Sequence, residues 1–580
     1  MQVRPFRLCA FFLFLTLISC SQISLPSISI APNQEPSRVS KKSTPLPNPA
    51  NELPSDISGD GQAALGPLNP EGNELPPEST QPSAEQVTVE SKTVTVTYVV
   101  RRGDTLQLIA SRAGMTVQQL ARLNGIKNIN RISAGQVLKL GSKVESRRIV
   151  THPGPSEFLL PDSEILYSPA YKDFNVQSIA ENSGGYLLQY RENVEGRMLT
   201  GPQIVQLISE RFSVGPRVLL TILELRSGWL TGNAPDAARN AYPMGYRQAG
   251  WEGLYRQLFW AAERLNAAYY LYQRDELQTL LLFDGDRIRL APGLNAGTVA
   301  VQNLFSRSSS WGTFNEQITN GDFLATYKWL FGSPEQFALE EIVPANLQQP
   351  AFRLPWQDGQ TWWFTGGPHN AWAPGSEWAA VDFAPSSTRG TCRVASEWVV
   401  AVAPGRVIAS DIGRVIVDMD GDGFQGTGWG LMYMHVAAKD RVPVGTILNT
   451  GDRIGHPSCE GGYSTGTHLH FARMYNGAWI RTDDARAPLN LNGWMYKSTD
   501  VHYDGYAVNG NELREACGCR DETKNGIRAV PLQYVENVPA LGVTANVSAS
   551  EQPNAPAANP AVGGANPKPK PAPQPSQTQP

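Results

Sequence analysis

Proline is concentrated at the two ends of this chain of 580 residues, and its distribution limits which parts can fold. Residues 20–95 and 540–580 combine proline with Ser, Asn, Glu or Ala and contain few long apolar side chains. Such segments bury too little surface to offset the entropy lost on ordering, so we expect both to be disordered. The part between them is too long for one hydrophobic core and should form several domains. The net charge of −4 gives no electrostatic basis for binding nucleic acid.

Residues 1–19 have the features of a signal peptide. Arg4 and Arg7 precede an apolar run, Leu8–Ile18, which is too short to span a bilayer stably. The run ends in "LISC", which resembles the lipobox of bacterial lipoproteins, and the resemblance implies that Cys20 is lipidated and becomes the mature N-terminus. The alternative is an ordinary secretory signal that leaves no anchor. Both interpretations predict an extracytoplasmic protein, lipid-anchored on a membrane in the first case and secreted in the second.

Thr97–Leu140 is predicted to form one small module. Alternating apolar residues indicate a strand, Gly-Asp-Thr turns the chain, and a helix over Leu106–Arg112 follows a capping residue. Thr116 is expected to cap a second helix that runs through Leu123, and Gln136–Leu140 is expected to close the module as a strand. The predicted order is therefore β-α-α-β.

This β-α-α-β segment, residues 96–141, resembles a LysM module, and its markers are "GDT", "LARLN" and "ISAGQVLKL". LysM modules bind the N-acetylglucosamine of peptidoglycan or chitin in a shallow groove between two loops, so the resemblance implies a glycan partner. By position, the resemblance places six residues beside the sugar: Gly103, Asp104, Thr105, Leu106, Asn124 and Ile126. The alternative is that these residues serve only as turns and caps.

Residues 155–340 have a helical pattern of apolar residues three and four positions apart. Within them, "VEGRMLTGPQIVQLISERFSVGPRVLLTILELRSGWLTG" resembles the opening of a lysozyme-like lytic transglycosylase domain, in which a Glu-Ser-Gly triplet supplies the general acid. Here Arg226 takes the place of that Glu, and a guanidinium cannot deliver a proton at neutral pH. Glu224 is about 200° round the helix and cannot replace it. We expect an α-helical, lysozyme-like domain that is non-catalytic.

Residues 346–533 change to short strands separated by Gly and Pro turns, which predicts an antiparallel β-sheet domain with a C-terminal extension. The domain contains "STGTHLHF", in which two histidines flank one leucine. Residues two apart in a strand project to the same face, so His468 and His470 should point into one cleft while Leu469 enters the core.

Three further polar residues of this domain lie where strands end. "YMHV" places His435 at the end of an apolar strand, and "TGGPHNAWAPGSEWAAVDFAP" supplies His369 and, thirteen positions later, Asp382. Together with His-x-His they resemble the lysostaphin-like and β-lytic zinc endopeptidases (LytM-type), which implies a duplicated-hybrid-motif-like sheet. Many members space the first pair as His-x-x-x-Asp. This chain has Trp378 there and the longer spacing of the β-lytic branch.

The resemblance implies that His369, Asp382 and His470 bind one Zn²⁺ and leave a fourth position open, as in catalytic sites. It also implies that His435 and His468 activate the water and stabilise the oxyanion. The implied function is a cell-wall-bound zinc metalloendopeptidase that hydrolyses peptide bonds of peptidoglycan stems or cross-bridges. The alternative is a non-catalytic cell-wall scaffold that activates other peptidoglycan hydrolases. Because all five polar positions are filled, the sequence favours the enzyme.

Four cysteines remain after Cys9 is assigned to the signal peptide and Cys20 to the lipid. Four cysteines in an exported protein indicate disulfides, with three possible pairings. We favour the pairings Cys392–Cys459 and Cys517–Cys519. A zinc-thiolate site is the alternative, although no Cys-x-x-Cys spacing is present.

Other polar residues carry weaker signals. His456 is expected to be structural, and His152 and His502 have no identifiable partners in the sequence. "DMDGDG", Asp418–Gly423, resembles the start of a calcium loop, but its twelfth position is Trp429 and not an acid. The sequence therefore favours a polar hairpin turn, with calcium binding as the alternative.

Overall fold

The computed structural model describes residues 85–339 and 341–532. The predicted signal peptide 1–19, the lipidation site Cys20, most of the linker 20–95 and the tail 540–580 lie outside the described residues. None of the helices in the described part of the chain is long and apolar enough to cross a membrane.

The N-terminal module has the predicted β-α-α-β order. It consists of β1 (Gln86–Val99), α1 (Leu106–Arg112), α2 (Val117–Leu123) and β2 (Val137–Pro153). Both helices begin as predicted, since the side chain of Thr105 caps α1 and the side chain of Thr116 caps α2. Leucine and isoleucine side chains of the two helices are buried against the strands and form a small separate core.

The two outer strands of this module continue beyond the predicted borders of 96–141 on both sides. β1 begins at residue 86, inside the predicted linker, and β2 continues beyond residue 141 to Pro153. The two strands pair antiparallel from Gln86 opposite Thr151 to Val99 opposite Val137. The valines of this arm alternate as in a strand, but Val87 and Val89 are exposed, so the arm lacks the buried face by which a strand is usually identified.

The region that follows is mostly helical. Its core is built on α9 and α10, which pack against each other, and two hairpin strands, β5 and β6, extend the sheet of the N-terminal module. In chain order the elements are α3 (Asp162–Ile165), α4 (Val176–Ser183), α5 (Tyr186–Gln189), β3 (Arg191–Val194), β4 (Arg197–Thr200), α6 (Gly201–Phe212), α7 (Pro216–Ser227), α8 (Ala237–Ala241), α9 (Leu254–Gln273), β5 (Thr279–Leu281), β6 (Arg287–Arg289), α10 (Ala296–Ser306), α11 (Trp311–Ile318) and α12 (Asp322–Phe331).

The C-terminal region is made of antiparallel strands. The strands are β7 (Thr361–His369), β8 (Ala380–Ala384), β9 (Val399–Val400), β10 (Gly405–Asp411), β11 (Arg414–Asp418), β12 (Trp429–Met434), β13 (Ile447–Leu448), β14 (Arg453–Gly455), β15 (Leu469–Tyr475), β16 (Ala478–Trp479), β17 (Asn490–Leu491), β18 (Trp494–Ser498), β19 (Gly505–Asn509), β20 (Glu512–Glu515) and β21 (Gly526–Arg528). Within the described residues, nine of them form one sheet in the order β13-β10-β11-β12-β15-β8-β7-β21, with β16 beside β15. β17 to β20 form a smaller sheet.

The two faces of the large sheet bury different partners. Leu469 and Phe471 point into a core shared with the smaller sheet, and this placement of Leu469 confirms the prediction. Ala472 and Met474 point to the opposite face, where they join the core of the helical region. The backbone amide of Trp479 donates to the Tyr270 hydroxyl across this contact at 2.9 Å. The helical region and the sheet therefore share one continuous core, although the sequence predicted two separate domains.

Candidate active site

Three neighbouring strands deliver three buried side chains to one point on the face that also packs against the helical region. His369 is the last residue of β7, Asp382 is the middle of β8, and His470 is the second residue of β15. Asp382 and His470 are direct cross-strand partners. The β7–β8 pairing shifts register on either side of Gly366, and such bulges re-aim the side chains that follow.

Gly366 makes room for the carboxylate at this point. It lies opposite Asp382, and a Cβ added to it would lie 2.5 Å from Asp382 Oδ2. That distance is shorter than a van der Waals contact. Position 366 of β7 must therefore be glycine if the Asp382 carboxylate is to lie over it.

The three side chains form a compact triangle of potential ligand atoms. His369 Nε2 and His470 Nδ1 are 2.9 Å apart, and Asp382 Oδ1 lies 3.3 Å from the first and 3.2 Å from the second. The three residues are between 1% and 8% exposed. Asp382 Oδ1 is buried and has no hydrogen-bond partner. An unpartnered buried carboxylate oxygen is costly, so this geometry fits a cation bound between the three atoms.

The backbone sets the tautomer of both histidines of the triangle. His369 Nδ1–H donates to the Gly367 carbonyl at 2.7 Å, and His470 Nε2–H donates to the Ala371 carbonyl at 2.7 Å. In the neutral rings, the two nitrogens that face each other therefore carry lone pairs. Backbone carbonyls that orient ligating histidines in this way are typical of metal sites.

His435 and His468 lie beside the triangle, with their ring centroids 4.4 Å apart. His468 Nδ1 bonds to the Gly466 carbonyl at 2.7 Å, and its Nε2 lies 3.7 Å from Asp382 Oδ1. His435 Nδ1 bonds to the Glu460 carbonyl at 2.9 Å. His435 has a φ of 64°, an uncommon conformation for a residue other than glycine, and such conformations are often found at functional sites.

Burial controls the charge of the site. It lowers the pKa of His435 well below its ordinary value, and the neighbouring histidines lower it further. Burial likewise lowers the pKa of His470. Burial alone would raise the pKa of Asp382, but His369 and His468 hold it well below the usual range. These shifts favour the neutral imidazoles of His435 and His470 and the ionised carboxylate of Asp382, and zinc ligands are needed in these forms.

His502 and Tyr503 are at the site although the sequence analysis gave them no role. The Tyr503 ring stacks on His369 with centroids 4.2 Å apart, and Tyr503 also has a positive φ, 66°. The His502 ring lies 6.1 Å from that of His369, and burial lowers its pKa to about 4. Both residues belong to the segment between β18 and β19, more than 130 positions after His369, and no local pattern connects them to it.

A disulfide joins Cys392 and Cys459, and it fixes the loops that carry two of the histidines. Ser458, next to Cys459, donates its backbone amide to the His435 carbonyl at 2.7 Å and forms a bridge with His468. A second disulfide joins Cys517 and Cys519. The pairing that we favoured from the sequence is the one found in the structure.

The predicted glycan-binding residues hold the turns of the N-terminal module. Asp104 accepts from the Tyr98 hydroxyl at 2.7 Å, and the Asn124 side chain bonds to both backbone groups of Lys139. Leu106 as a whole residue is 1% exposed and belongs to the core of the module, so the structure does not present it to a sugar. Three others lie at the loops that precede or follow the helices: Gly103, Thr105 and Ile126.

Arg226 and Glu224 lie at the end of α7 and are both engaged. The Arg226 guanidinium donates to Ser308 at 2.9 Å, and the Glu224 carboxylate accepts from the backbone of Leu230 and from Thr231. Among the remaining histidines, His456 packs against Trp398 with the rings tilted by 43°. His152 stacks on Trp311 and bonds to Glu85.

Comparison with known sequences gives two family matches. The family described as LasA, N-terminal domain, matches residues 158–346, and the LysM domain family matches residues 98–141. The LysM resemblance is confirmed. The region that we interpreted as lysozyme-like is thus matched by a LasA family, and its lysozyme-like character stays a prediction.

Several individual proteins are similar to parts of the chain. The chain is 29% identical over 301 residues to Protease LasA of Pseudomonas aeruginosa, covering 48% of this chain and 68% of the relative. It is 51% identical over 49 residues to the uncharacterized lipoprotein YgeR of Escherichia coli, covering 8% and 20%. The solved structure of the M23 metalloprotease pseudoalterin is 22% identical and aligns with 29% of this chain and 96% of its own, with a TM-score of 0.24. The chain is therefore similar to Protease LasA over 48% of its length, and its residues 98–141 match the LysM domain family.

Proposed function

We propose that this chain is a zinc metalloendopeptidase that cuts peptide bonds of bacterial peptidoglycan, in its stems or cross-bridges. The observation that supports this most directly is the triangle of His369, Asp382 and His470, with its unpartnered buried carboxylate oxygen. Two imidazole nitrogens and one carboxylate oxygen are the ligands of a catalytic zinc site, which keeps one position open.

The arrangement of the ligand atoms supports a cation between them. His369 Nε2 and His470 Nδ1 both carry lone pairs and are 2.9 Å apart, so without a positive charge between them they repel each other. One zinc ion is the expected occupant, because imidazole and carboxylate ligands suit zinc. Bound there, zinc would supply Lewis acidity that acidifies a water molecule and polarises the scissile carbonyl.

His435 and His468 are proposed to handle the proton. Each donates its Nδ1–H to a backbone carbonyl, so in the neutral ring Nε2 carries the lone pair and can accept a proton from water. A histidine that has accepted this proton becomes a donor at Nε2, and it can stabilise the oxyanion before it protonates the leaving amine. The lowered pKa of His435 keeps its imidazole neutral, so that the lone pair of Nε2 is free at neutral pH.

The LysM domain is proposed to hold the enzyme on glycan strands. LysM modules bind N-acetylglucosamine polymers, and binding there would raise the local concentration of the peptidase near its substrate without changing its active site. The two disulfides suit a location outside the cytoplasm, where the cell wall lies. Lipid anchoring through Cys20 remains a prediction.

The test measures zinc content and peptide release from purified peptidoglycan with the full chain. We use the full chain because the sheet shares its core with the helical region. We expect one zinc per chain and release of peptides, and we expect His470→Ala to lose both. His152→Gln is the control, since this histidine contacts Trp311 and Glu85 and not the triangle. A native chain that binds no zinc would contradict the proposal and favour the non-catalytic scaffold.

A further inference from the structure

The hairpin that joins β11 to β12 contains a second group of possible metal ligands. One carboxylate oxygen from each of Asp418, Asp420 and Asp422 lies within 4.8 Å of the others. They occupy positions one, three and five of the pattern Asp-x-Asp-x-Asp-Gly, and Gly423 at position six has a φ of 88°. Calcium loops use this spacing, with glycine at position six for the sharp turn.

Acidic clusters are common without a metal, so the decisive feature is Asp418. Its side chain is 0% exposed, and Oδ2 accepts from the Gly423 amide at 2.8 Å. Its other oxygen, Oδ1, is buried and has no hydrogen-bond partner. Its neighbour in the cluster is another aspartate, Asp420, and a carboxylate accepts hydrogen bonds but does not donate them.

The cluster also holds more negative than positive charge. Burial, and then the neighbouring Asp420 and Asp422, raise the pKa of Asp418 to about 7. In the described residues the cluster forms an ion pair with Lys172, whose ammonium lies 2.9 Å from Asp422 Oδ2, and Arg406 is the cross-strand partner of Asp418. Lys172 is about half exposed and reaches Asp422, not the buried oxygen of Asp418.

We propose that this hairpin binds one calcium ion through Asp418, Asp420 and Asp422. Calcium prefers oxygen ligands and accepts several carboxylates together with backbone carbonyls and water, whereas zinc prefers the nitrogen-rich triangle. Position seven, where such loops supply a backbone carbonyl, is Phe424, and its carbonyl also accepts from the Thr427 hydroxyl at 3.0 Å, so a calcium ion there would share it. Because Trp429 replaces the bidentate acid of position twelve, the expected Kd is about 10⁻⁴ to 10⁻³ M, as in extracellular modules.

Binding there would stabilise the contact between the sheet and the helical region. The Phe424 ring packs on Tyr167 with centroids 4.8 Å apart, and the Gln425 side chain donates to the Glu210 carbonyl at 2.8 Å. Both contacts come from the same hairpin that carries the carboxylates. The calcium ion would therefore act on stability and not on the chemistry of the zinc site.

The experiment titrates the zinc-loaded full chain with CaCl₂ in buffer without chelator and follows Tm, with MgCl₂ at equal concentration as the ionic control. We expect calcium at about 10 mM to raise Tm by about 2 to 5 °C. Equilibrium dialysis with radioactive calcium should give one ion per chain.

Three variants decide between a calcium site and a polar turn. Asp420→Asn keeps the oxygen that accepts from the Asp422 amide, so it should fold, and it should lose at least about tenfold in calcium affinity. Asp358→Asn, an exposed carboxylate paired with Arg353, removes the same charge elsewhere and should respond like the native chain. Lys172→Met removes the competing ammonium and should increase the affinity. The proposal is overturned if calcium binds no more tightly than magnesium, or if Asp420→Asn and Asp358→Asn bind calcium equally.

Discussion

The aspartate cluster of the β11–β12 hairpin and the triangle of the active site lie beside opposite ends of β12. Both contain a buried carboxylate, but their other side chains differ. At one end, Gly430 is the cross-strand partner of Asp418, and at the other, Met434 is the partner of His470. The strand is about 17 Å long, which separates the two groups. Each group contains one buried carboxylate oxygen without a hydrogen-bond partner, Asp418 Oδ1 or Asp382 Oδ1.

The difference lies in what surrounds that oxygen. Around Asp382 the other donors are imidazole nitrogens whose outer atoms are fixed by backbone carbonyls, and all three residues are buried. Around Asp418 the other donors are carboxylates of a hairpin turn, and Asp420 and Asp422 are exposed. The first group suits a tightly held, borderline-soft ion and the second suits a hard, weakly held one. The donor type, and not the unpartnered oxygen alone, therefore predicts the metal.

The largest expected effect comes from a change that affects the His369–Asp382–His470 triangle and leaves the aspartate cluster of the hairpin intact. Asp382→Asn removes the negative oxygen of the triangle, and we expect zinc to be lost and peptide release to fall by about 10³-fold or more, because metal catalysis is worth several kcal/mol. The same variant should keep the calcium-dependent rise in Tm. Zinc content, peptide release and thermal unfolding measure the three effects on one preparation. Retention of zinc by Asp382→Asn would contradict the assigned ligand set.

A smaller effect on zinc content is expected when a histidine beside the triangle is changed. His468→Gln should keep zinc, since His468 is not one of the three ligands, while kcat should fall by about 10²- to 10⁴-fold through loss of proton transfer. Ser464→Ala is the matched control. The Ser464 hydroxyl lies 3.3 Å from His468 Nδ1, but the Gly466 carbonyl already holds that nitrogen at 2.7 Å, so the change should be small. Loss of zinc in His468→Gln would make His468 a ligand.

Some features of the site and of the N-terminal module could be predicted from local sequence patterns. His-x-His was identified from strand periodicity, because a period of two places His468 and His470 together whatever surrounds them. The helices of the N-terminal module were predictable to the residue, since Thr105 and Thr116 cap them locally. In both cases, residues that are close in sequence determine the local structure, so no tertiary contact was needed for the prediction.

Features that depend on distant partners were not predictable in the same way. Residues 86–95 form a strand because residues 142–151 pair with them, although Val87 and Val89 remain exposed. The shared core of the helical region and the sheet depends on small side chains such as Ala380 and Ala472, which carry little signal in the sequence. Tyr503 reaches His369 from far along the chain. Each of these requires the tertiary fold.

Gly366 offers a third test of the triangle without touching a ligand. Gly366→Ala should push the Asp382 carboxylate aside, since the new Cβ would lie 2.5 Å from Oδ2. We expect zinc affinity to fall by about 10- to 100-fold, as when a group that orients a ligand is lost. Gly462→Ala is the control, because its Cβ would meet Met434 and His435 at ordinary distances of 3.7 and 3.8 Å. Equal zinc affinity of the two variants would show that the carboxylate has more room than the geometry indicates.

The smallest effect concerns Tyr503, whose ring covers one side of His369. Tyr503→Leu keeps an apolar side chain but removes the stacked ring, and an aromatic pair contributes about 0.5 to 1.5 kcal/mol, so zinc affinity should fall by up to about tenfold. Tyr503→Phe keeps the ring and should bind zinc like the native chain. Both variants keep a residue other than glycine at the φ of 66°, so they share the same backbone cost. If Tyr503→Leu binds zinc as well as Tyr503→Phe, the backbone carbonyl of Gly367 is sufficient to orient His369, and the triangle does not depend on the segment between β18 and β19.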